Sequence, residues 1–295
     1  MSRVRIRIYQ YAKLACMADL SNGYKRIEVS SSSKTKAYVW TTGDKNNPPL
    51  ILVPGFTGTH EDLMPVAKTL TRKYFVIVPD MPGWGESPRF SEELNVENYI
   101  AYLKSLLDQL GISQITYVGH CMGATLGIEF ANKFPENLKQ LTLISPPYLG
   151  GTLANRLLIF HADLAARFPR AVRPLFYLWR NRFFGIAANI FVIKIKSKIK
   201  KLRLIVHYIL IQGDPSEDSI EETWRSLMHY NYKRIENVKV PVHVLHGNED
   251  ILIPKKQVQK LYDFIPSATV FYVSDCGHMP SVENPQGLAE AILQY

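Results

Sequence analysis

Ile115-Thr116-Tyr117-Val118-Gly119-His120-Cys121-Met122-Gly123 is the stretch whose reading decides the fold. Four apolar or β-prone residues run straight into small-X-nucleophile-X-small, the pattern of a nucleophile elbow. Such a turn forces its central residue into a strained strand-to-helix conformation. Glycine at both flanks removes the Cβ atoms that would collide there. Residues 124–134 then read as a helix ended by Pro135. The nucleophile position carries Cys121 where serine is usual, and this exchange shapes the chemistry expected of the site.

Outward from the elbow, short apolar runs alternate with helical periodicity. Residues 25–29 and 36–40 suggest a hairpin turning near residues 30–33, and residues 50–53 form a buried-strand pattern before Pro54-Gly55. Residues 60–72 read as a helix and 74–78 as a strand ending at Pro79-Asp80. Residues 98–110 place Ile100, Leu103, Leu107 and Leu110 on one helical face, with Gly111 as the C-terminal cap. Residues 141–144, 242–245 and 269–273 give further strands, the last two each followed by a helix. This alternation predicts βαβ units and a mostly parallel sheet flanked by helices.

The rhythm breaks between about 147 and 235, a stretch that is aromatic, basic and helix-like. The organisation predicted is therefore a core of residues 1–146 and 236–295 carrying an inserted helical cap at 147–235. Net charge is +9 over 295 residues, yet no Asp or Glu occurs between Leu164 and Gly213 while eleven Lys and Arg do. Those eleven exceed the whole net charge and leave the rest of the chain at −2. The bland reading of the cap is a lid with solvated lysines. The sharper one is contact with an anionic membrane surface or an acidic acyl-carrier protein, because clustered cations beside apolar residues favour anionic surfaces. The block has no recognised nucleic-acid module, which argues against nucleic acid as partner.

Cys16, Cys121 and Cys276 show neither disulfide nor metal spacing, which fits a reducing compartment. Arg3, Arg5 and Arg7 precede no continuous apolar stretch, and no run of about 18 uncharged apolar residues exists, so the expected location is cytoplasmic, peripheral at most to a membrane. His-Glu-x-x-His, paired Cys-x-x-Cys and Gly-x-x-x-x-Gly-Lys are absent, so neither a metal nor a nucleotide cofactor is expected.

Three further motifs sit at strand ends. Val53-Pro54-Gly55-Phe56-Thr57-Gly58 leaves an early strand with glycines where an amide must approach a ligand. His246-Gly247-Asn248-Glu249-Asp250 leaves a later one, and Cys276-Gly277-His278 leaves the last, followed by Glu283-Asn284-Pro285. With Asp80-Met81-Pro82-Gly83-Trp84-Gly85-Glu86-Ser87, these motifs make the chain resemble the α/β-hydrolase fold family over roughly 36–147 and 236–295. The family's usual His-Gly before the oxyanion residue is Pro54-Gly55 here, tolerable because the working group is a backbone amide.

The resemblance implies roles for individual residues. Cys121 would be the nucleophile, His278 the base and Asp250 the acid that orients the imidazole, with Glu249 and Asp275 as nearby competitors for that last role. The amides of Phe56 and Met122 would form the oxyanion hole. His120 is expected as a pocket-wall or packing residue, His60 and His246 as loop or supporting residues, Cys276 as structural, and Phe56, Trp84 and Trp179 as candidate pocket walls. Cysteine nucleophiles in this family occur in dienelactone-type hydrolases and polyhydroxyalkanoate synthases, and Cys121 argues against the dehalogenases and epoxide hydrolases that use aspartate. The activity implied is hydrolysis of an apolar ester or thioester through an acyl-thioester on Cys121. The alternatives are an acyltransferase that passes the acyl group to a non-water acceptor, and a triad-bearing small-molecule receptor.

Overall fold

The computed structural model describes residues 23–30, 36–147, 160, 163–164, 167–168, 216–265 and 267–295. These contain an eight-stranded sheet in the order β1-β2-β4-β3-β5-β6-β7-β8. The strands are β1 (Lys25–Ser30), β2 (Lys36–Thr42), β3 (Pro49–Val53), β4 (Phe75–Pro79), β5 (Ile115–His120), β6 (Leu138–Ile144), β7 (Val242–Gly247) and β8 (Thr269–Val273). The β1–β2 hairpin pairs antiparallel and β2 joins β4 antiparallel. From β4 through β3 and β5 to β8 every pairing is parallel. A right-handed crossover rule for parallel strands makes helices the connectors. They are α1 (His60–Leu70), α2 (Val96–Gln109), α3 (Met122–Lys133), α4 (Glu217–Met228), α5 (Lys255–Phe264), α6 (Pro280–Glu283) and α7 (Pro285–Leu293).

The strands read as continuous apolar runs because both faces of the sheet are covered. In β3, Leu50 and Leu52 pack with Leu63, Val66 and Leu70 of α1 and with Leu288 and Ile292 of α7. Their neighbours Ile51 and Val53 point to the other face, where Tyr99, Ile100 and Leu103 of α2 and Ile128 and Phe130 of α3 lie. Each such large apolar side chain contributes about 1.5–3 kcal/mol when fully buried. Local signals fix the helix ends. The Asn95 side chain accepts from the Asn98 amide at the start of α2. At its other end Gly111 (φ 69°) turns left-handed, and the Ile112 amide donates back to the Leu107 carbonyl at 2.9 Å.

The Asp80 turn is built around its own carboxylate. Oδ1 accepts from the His60 amide at 2.8 Å and Oδ2 from the Glu86 amide at 2.7 Å. A Cβ on Gly85 (φ 58°) would sit 2.2 Å from Oδ2, so the second glycine of the turn is a steric requirement. His60, expected as a loop or supporting residue, is instead the buried first residue of α1. Its ring stacks on Trp40 at 3.4 Å and lies 2.9 Å from Asp80. Burial opposes its protonation, but the Asp80 carboxylate outweighs that and raises its pKa.

Of the predicted 147–235 insertion, the described residues include α4 and the 3-10 turn Tyr232–Asn237. α4 leans on the start of α2: the Val96 amide donates to Ser226 Oγ at 2.9 Å, and the Leu94 amide to Glu222 Oε2 at 2.8 Å. Most of that stretch, including the basic run 194–203, His161, His207 and Trp179, lies outside the described residues, as does Cys16. Among the described residues no helix is long and apolar enough to cross a membrane, and no group of three or more His, Cys, Asp or Glu is placed to hold a metal.

Candidate active site

Cys121 stands where β5 gives way to α3, with φ 48° and ψ −105°. Its amide donates to the Ile144 carbonyl of β6 at 2.9 Å, and its carbonyl accepts from the Ala124 and Thr125 amides of α3. This two-sided tether holds the strained turn. A Cβ on Gly119 would fall 2.2 Å from the Gly123 carbonyl oxygen, and one on Gly123 would fall 2.4 Å from the Val53 oxygen. Both flanking glycines are thus demanded by main-chain contact, as the sequence pattern predicts.

Among the described residues, the other non-glycine residues with positive φ are Thr57, Ser145 and Asp275, which follow β3, β6 and β8 respectively. With Cys121 they form a row of strained positions along the C-terminal edge of the parallel sheet. Strain concentrated in this way marks a functional edge.

His278 reaches that edge from the loop after β8 and is buried. Its Nδ1 hydrogen donates to Asp250 Oδ2 at 2.9 Å. A carboxylate can only accept, so the Nδ1 hydrogen is committed to Asp250 and the opposite nitrogen, Nε2, is left for another partner. Burial would lower the pKa of His278. The hydrogen bond to Asp250, and the nearby Cys121 side chain, more than reverse this and raise it to about 10. For Asp250, burial pushes upward, but His278 and the Ile253 amide hold the carboxyl below the usual range.

The second Asp250 oxygen accepts from the Leu252 and Ile253 amides at 2.8 and 2.9 Å, so both oxygens are fixed. Glu249 and Asp275 are exposed, whereas Asp250 is buried against the histidine. The loops after β7 and β8 are zipped together by main-chain bonds: Asn248 N to Val273 O and Glu249 N to Cys276 O, both 2.9 Å. Their approach is so close that a Cβ on Gly247 would lie 1.9 Å from the Gly277 oxygen.

The Phe56 loop arrives from β3. The Gly55 Cα points at the elbow, since a Cβ there would come within 3.3 Å of Cys121 Cβ. Phe56 is the next residue of that loop, and Met122 is the first residue of α3. The Phe56 ring packs edge-on to Trp84 at 5.2 Å and tilted to Trp224 of α4 at 5.7 Å. Trp84 is in turn anchored by Nε1 to Tyr99 Oη at 2.8 Å, and Tyr99 to Thr223 at 2.8 Å.

The two described cysteines differ sharply. Cys121 is partly accessible; Cys276 is buried, donates to the Val273 carbonyl, and has its thiol pushed up to about 12, chiefly by burial. That is the structural role expected for it.

One supporting residue carried no sequence signal for its role. Glu283, on the short helix α6, accepts from the Gly277 amide at 2.9 Å and the Met279 amide at 3.0 Å, gripping the chain on both sides of His278. His246 is fully buried with Nδ1 3.8 Å from Asp250 Oδ2. Neither of its ring nitrogens makes a well-formed hydrogen bond, although the Ile253 main chain lies close enough to favour the charged ring.

Residues 48–285 match the model of the family described as alpha/beta hydrolase fold. The chain belongs to this hydrolase fold family. Lipase 1 of Psychrobacter immobilis is 27% identical over 255 residues, covering 82% of this chain and 74% of that protein. Among solved structures, an esterase from Thermogutta terrifontis superposes with TM-score 0.75 at 21% identity, over 92% of this chain and 97% of its own. The carboxylesterase CesB of Bacillus subtilis gives TM-score 0.75 at 15% identity, over 97% and 96%. The hydrolase fold places an elbow, an acid loop and a histidine loop at the ends of successive strands, the same edge on which Cys121, Asp250 and His278 meet here.

Proposed function

We propose that this alpha/beta hydrolase is an ester or thioester hydrolase that works through an acyl-thioester on Cys121. The observation that carries the reading is the meeting of three groups: Asp250 Oδ2 bound to His278 Nδ1 at 2.9 Å, and a cysteine on a strained elbow close enough to the imidazole to favour its charged form. The similarity to Lipase 1 supports an ester substrate, and the aromatic group Phe56, Trp84 and Trp224, which starts one residue after Gly55, supports an apolar acyl chain.

In the proposed cycle the thiol proton resides on His278 Nε2. The sulfur attacks the carbonyl carbon, forming the C–S bond while the carbonyl electron pair moves to oxygen. The Phe56 and Met122 amides donate to that oxyanion, an arrangement worth about 2.7–4 kcal/mol per donor in a serine protease. Collapse expels the alcohol or thiol, which takes the proton from Nε2. Water then gives a proton to Nε2 and attacks the thioester, and the acid is released with Cys121 restored. Asp250 keeps the imidazole in the Nδ1–H tautomer throughout and stabilises its charged form.

Intact mass after incubation with an activated acyl ester tests this reading. An adduct of acyl mass on the native protein, lost in Cys121→Ala, is expected; no adduct, or one retained in the variant, refutes it.

Cysteine itself favours a second reading, acyl transfer, because a thioester is attacked more readily than an oxygen ester by amines, thiols and carbanions. Partition of product between water and an added acceptor separates the two, and Cys121→Ser sharpens the test: if serine restores or raises hydrolysis, the thiol serves transfer. A receptor would instead show turnover far below one per minute with ligand-induced melting shifts.

The basic stretch 194–203 supports a peripheral role at an anionic lipid surface or an acyl-carrier protein. Binding to acidic vesicles that weakens with salt, and is lost when Lys196, Lys198, Lys200 and Lys201 are reversed in charge, is the expected result for the lipid. Binding of an acidic carrier in place of vesicles supports the carrier instead.

A further inference from the structure

We infer that His120 is a positioning residue, a neutral imidazole that ties the main chain of His278 to the elbow and wedges the oxyanion loop against both. The inference rests on the proposed function for its consequence, but its geometry stands apart from it.

His120 ends β5, one residue before Cys121, and is buried. Its Nε2 lies 2.7 Å from the carbonyl oxygen of His278, 158 residues further along the chain. A carbonyl oxygen offers only lone pairs, so Nε2 must carry the hydrogen and donate it, which leaves Nδ1 as a bare acceptor. That acceptor side faces the oxyanion loop: a Cβ on Gly55 would sit 2.9 Å from Nδ1 and 3.3 Å from Cε1. The His120 ring also packs against the His278 ring, with centroids 5.1 Å apart and planes tilted by 51°. One side chain thus touches all three arms of the site. It is joined covalently to the nucleophile, hydrogen-bonded to the peptide of the base, and packed on the glycine before the oxyanion amide.

The role requires that His120 stay uncharged, since a second cation would oppose protonation of His278. Burial, and next the charge of His278, hold the His120 pKa down at about 3. The same contact makes Gly55 a steric requirement, because the His120 ring occupies the space a side chain would need.

The side-chain donor, and not the ring volume, is the part of His120 that does this. Two variants separate them: His120→Gln keeps an N–H at the end of the side chain, and His120→Phe keeps a buried ring without one. Two rates are measured on each, acylation by an activated ester and alkylation of Cys121 by iodoacetamide, the second needing only the Cys121–His278 pair. The expected result is that His120→Phe loses about 10–100-fold in both rates with KM for the ester unchanged, the scale on which ångström misplacement of a reacting group acts. His120→Gln recovers most of that loss. His120→Phe within twofold of the native protein in both rates, or His120→Gln as impaired as His120→Phe, overturns the inference. If the native protein is alkylated but never acylated, the hydrolase reading falls, and a reduced alkylation rate in His120→Phe rescued in His120→Gln still upholds the role of His120. Should His120→Phe fail to fold, His120→Leu takes its place as the donor-free variant against the same criteria.

Discussion

Replacing Cys121 by glycine and by alanine in parallel isolates the backbone strain of the elbow from everything else the residue does. Both variants lack the thiol, so both lose its interaction with His278 and any chemistry of the sulfur. They differ in the Cβ atom at φ 48°, ψ −105°, a conformation that L residues rarely adopt. Strain of this kind costs about 1–3 kcal/mol in a non-glycine residue. Glycine recovers it but gives back about 0.5–1 kcal/mol through the greater freedom of its unfolded chain. The expected difference is about 1–2 kcal/mol in favour of Cys121→Gly. The turn cannot relax instead in the alanine variant, because the Cys121 amide is bound to Ile144 and its carbonyl to the Ala124 and Thr125 amides. Guanidinium denaturation of the two variants, with equal slopes, should therefore show the glycine variant unfolding at the higher midpoint. In thermal melts the gap should be about 2–4 °C per kcal/mol at most for a chain of this size. A midpoint for Cys121→Gly equal to or below that of Cys121→Ala refutes the claim that the elbow stores strain, and with it the argument for why the site sits where it does.

Glu283→Ala leaves the Gly277 and Met279 amides without their acceptor, which should destabilise the protein by about 1–3 kcal/mol and slow acylation, both measured against Glu283→Gln, which keeps an acceptor for one of them. His278 has its pKa raised from 6.5 to about 10, so its contribution to stability is full below about pH 6.5 and is lost as pH rises through 10; at about 1.4 kcal/mol per unit this is at most about 5 kcal/mol. Native protein should therefore lose more stability than His278→Gln between pH 7 and pH 10 in urea titrations. His246 has its pKa lowered, chiefly by burial, so its contribution is present above about pH 6.5 and lost as pH falls. His246→Leu should be at least as stable as the native protein at pH 7 and should keep more of that stability at pH 5.

The sheet was legible because the inner parallel strands are buried on both faces and write themselves as apolar runs, as in residues 50–53 or 242–245, whereas the edge strand β8 is largely exposed. The ends were less so. β6 begins at Leu138, three residues before its apolar run, because Leu138 and Gln140 pair with Ile115 and Thr116 of β5 while the exposed Lys139 is passed over at an irregularity between them. β5 likewise continues through Gly119 and His120, where a reader of propensity stops. At the site, the sequence could offer Asp250, Glu249 and Asp275 as acids; the structure separates them through the Leu252 and Ile253 amides, which fix one oxygen of Asp250 and turn the other to His278. Glu283 and His120 acquire their functions from contacts to main-chain atoms of the His278 loop. Such contacts leave no side-chain pattern in a sequence, because the partner can be any residue.

The positions that fix the geometry share one property. At Gly119, Gly123 and Gly247 a single added carbon would meet main-chain oxygen at 1.9–2.4 Å, so the strands and loops at this edge are set by backbone against backbone. Helix α3 is locked to the β3 end, and the β7 end to the histidine loop, at these crossings. The frame is consequently indifferent to whether the elbow presents oxygen or sulfur. This explains how a chain can match the hydrolase family over most of its length, and superpose on esterases at 15–21% identity, with cysteine at the elbow. What the side chains then decide is the charge beside that residue. Asp250 is held below the usual carboxylate range and His278 above the usual imidazole range, so an ionised pair stands next to the elbow.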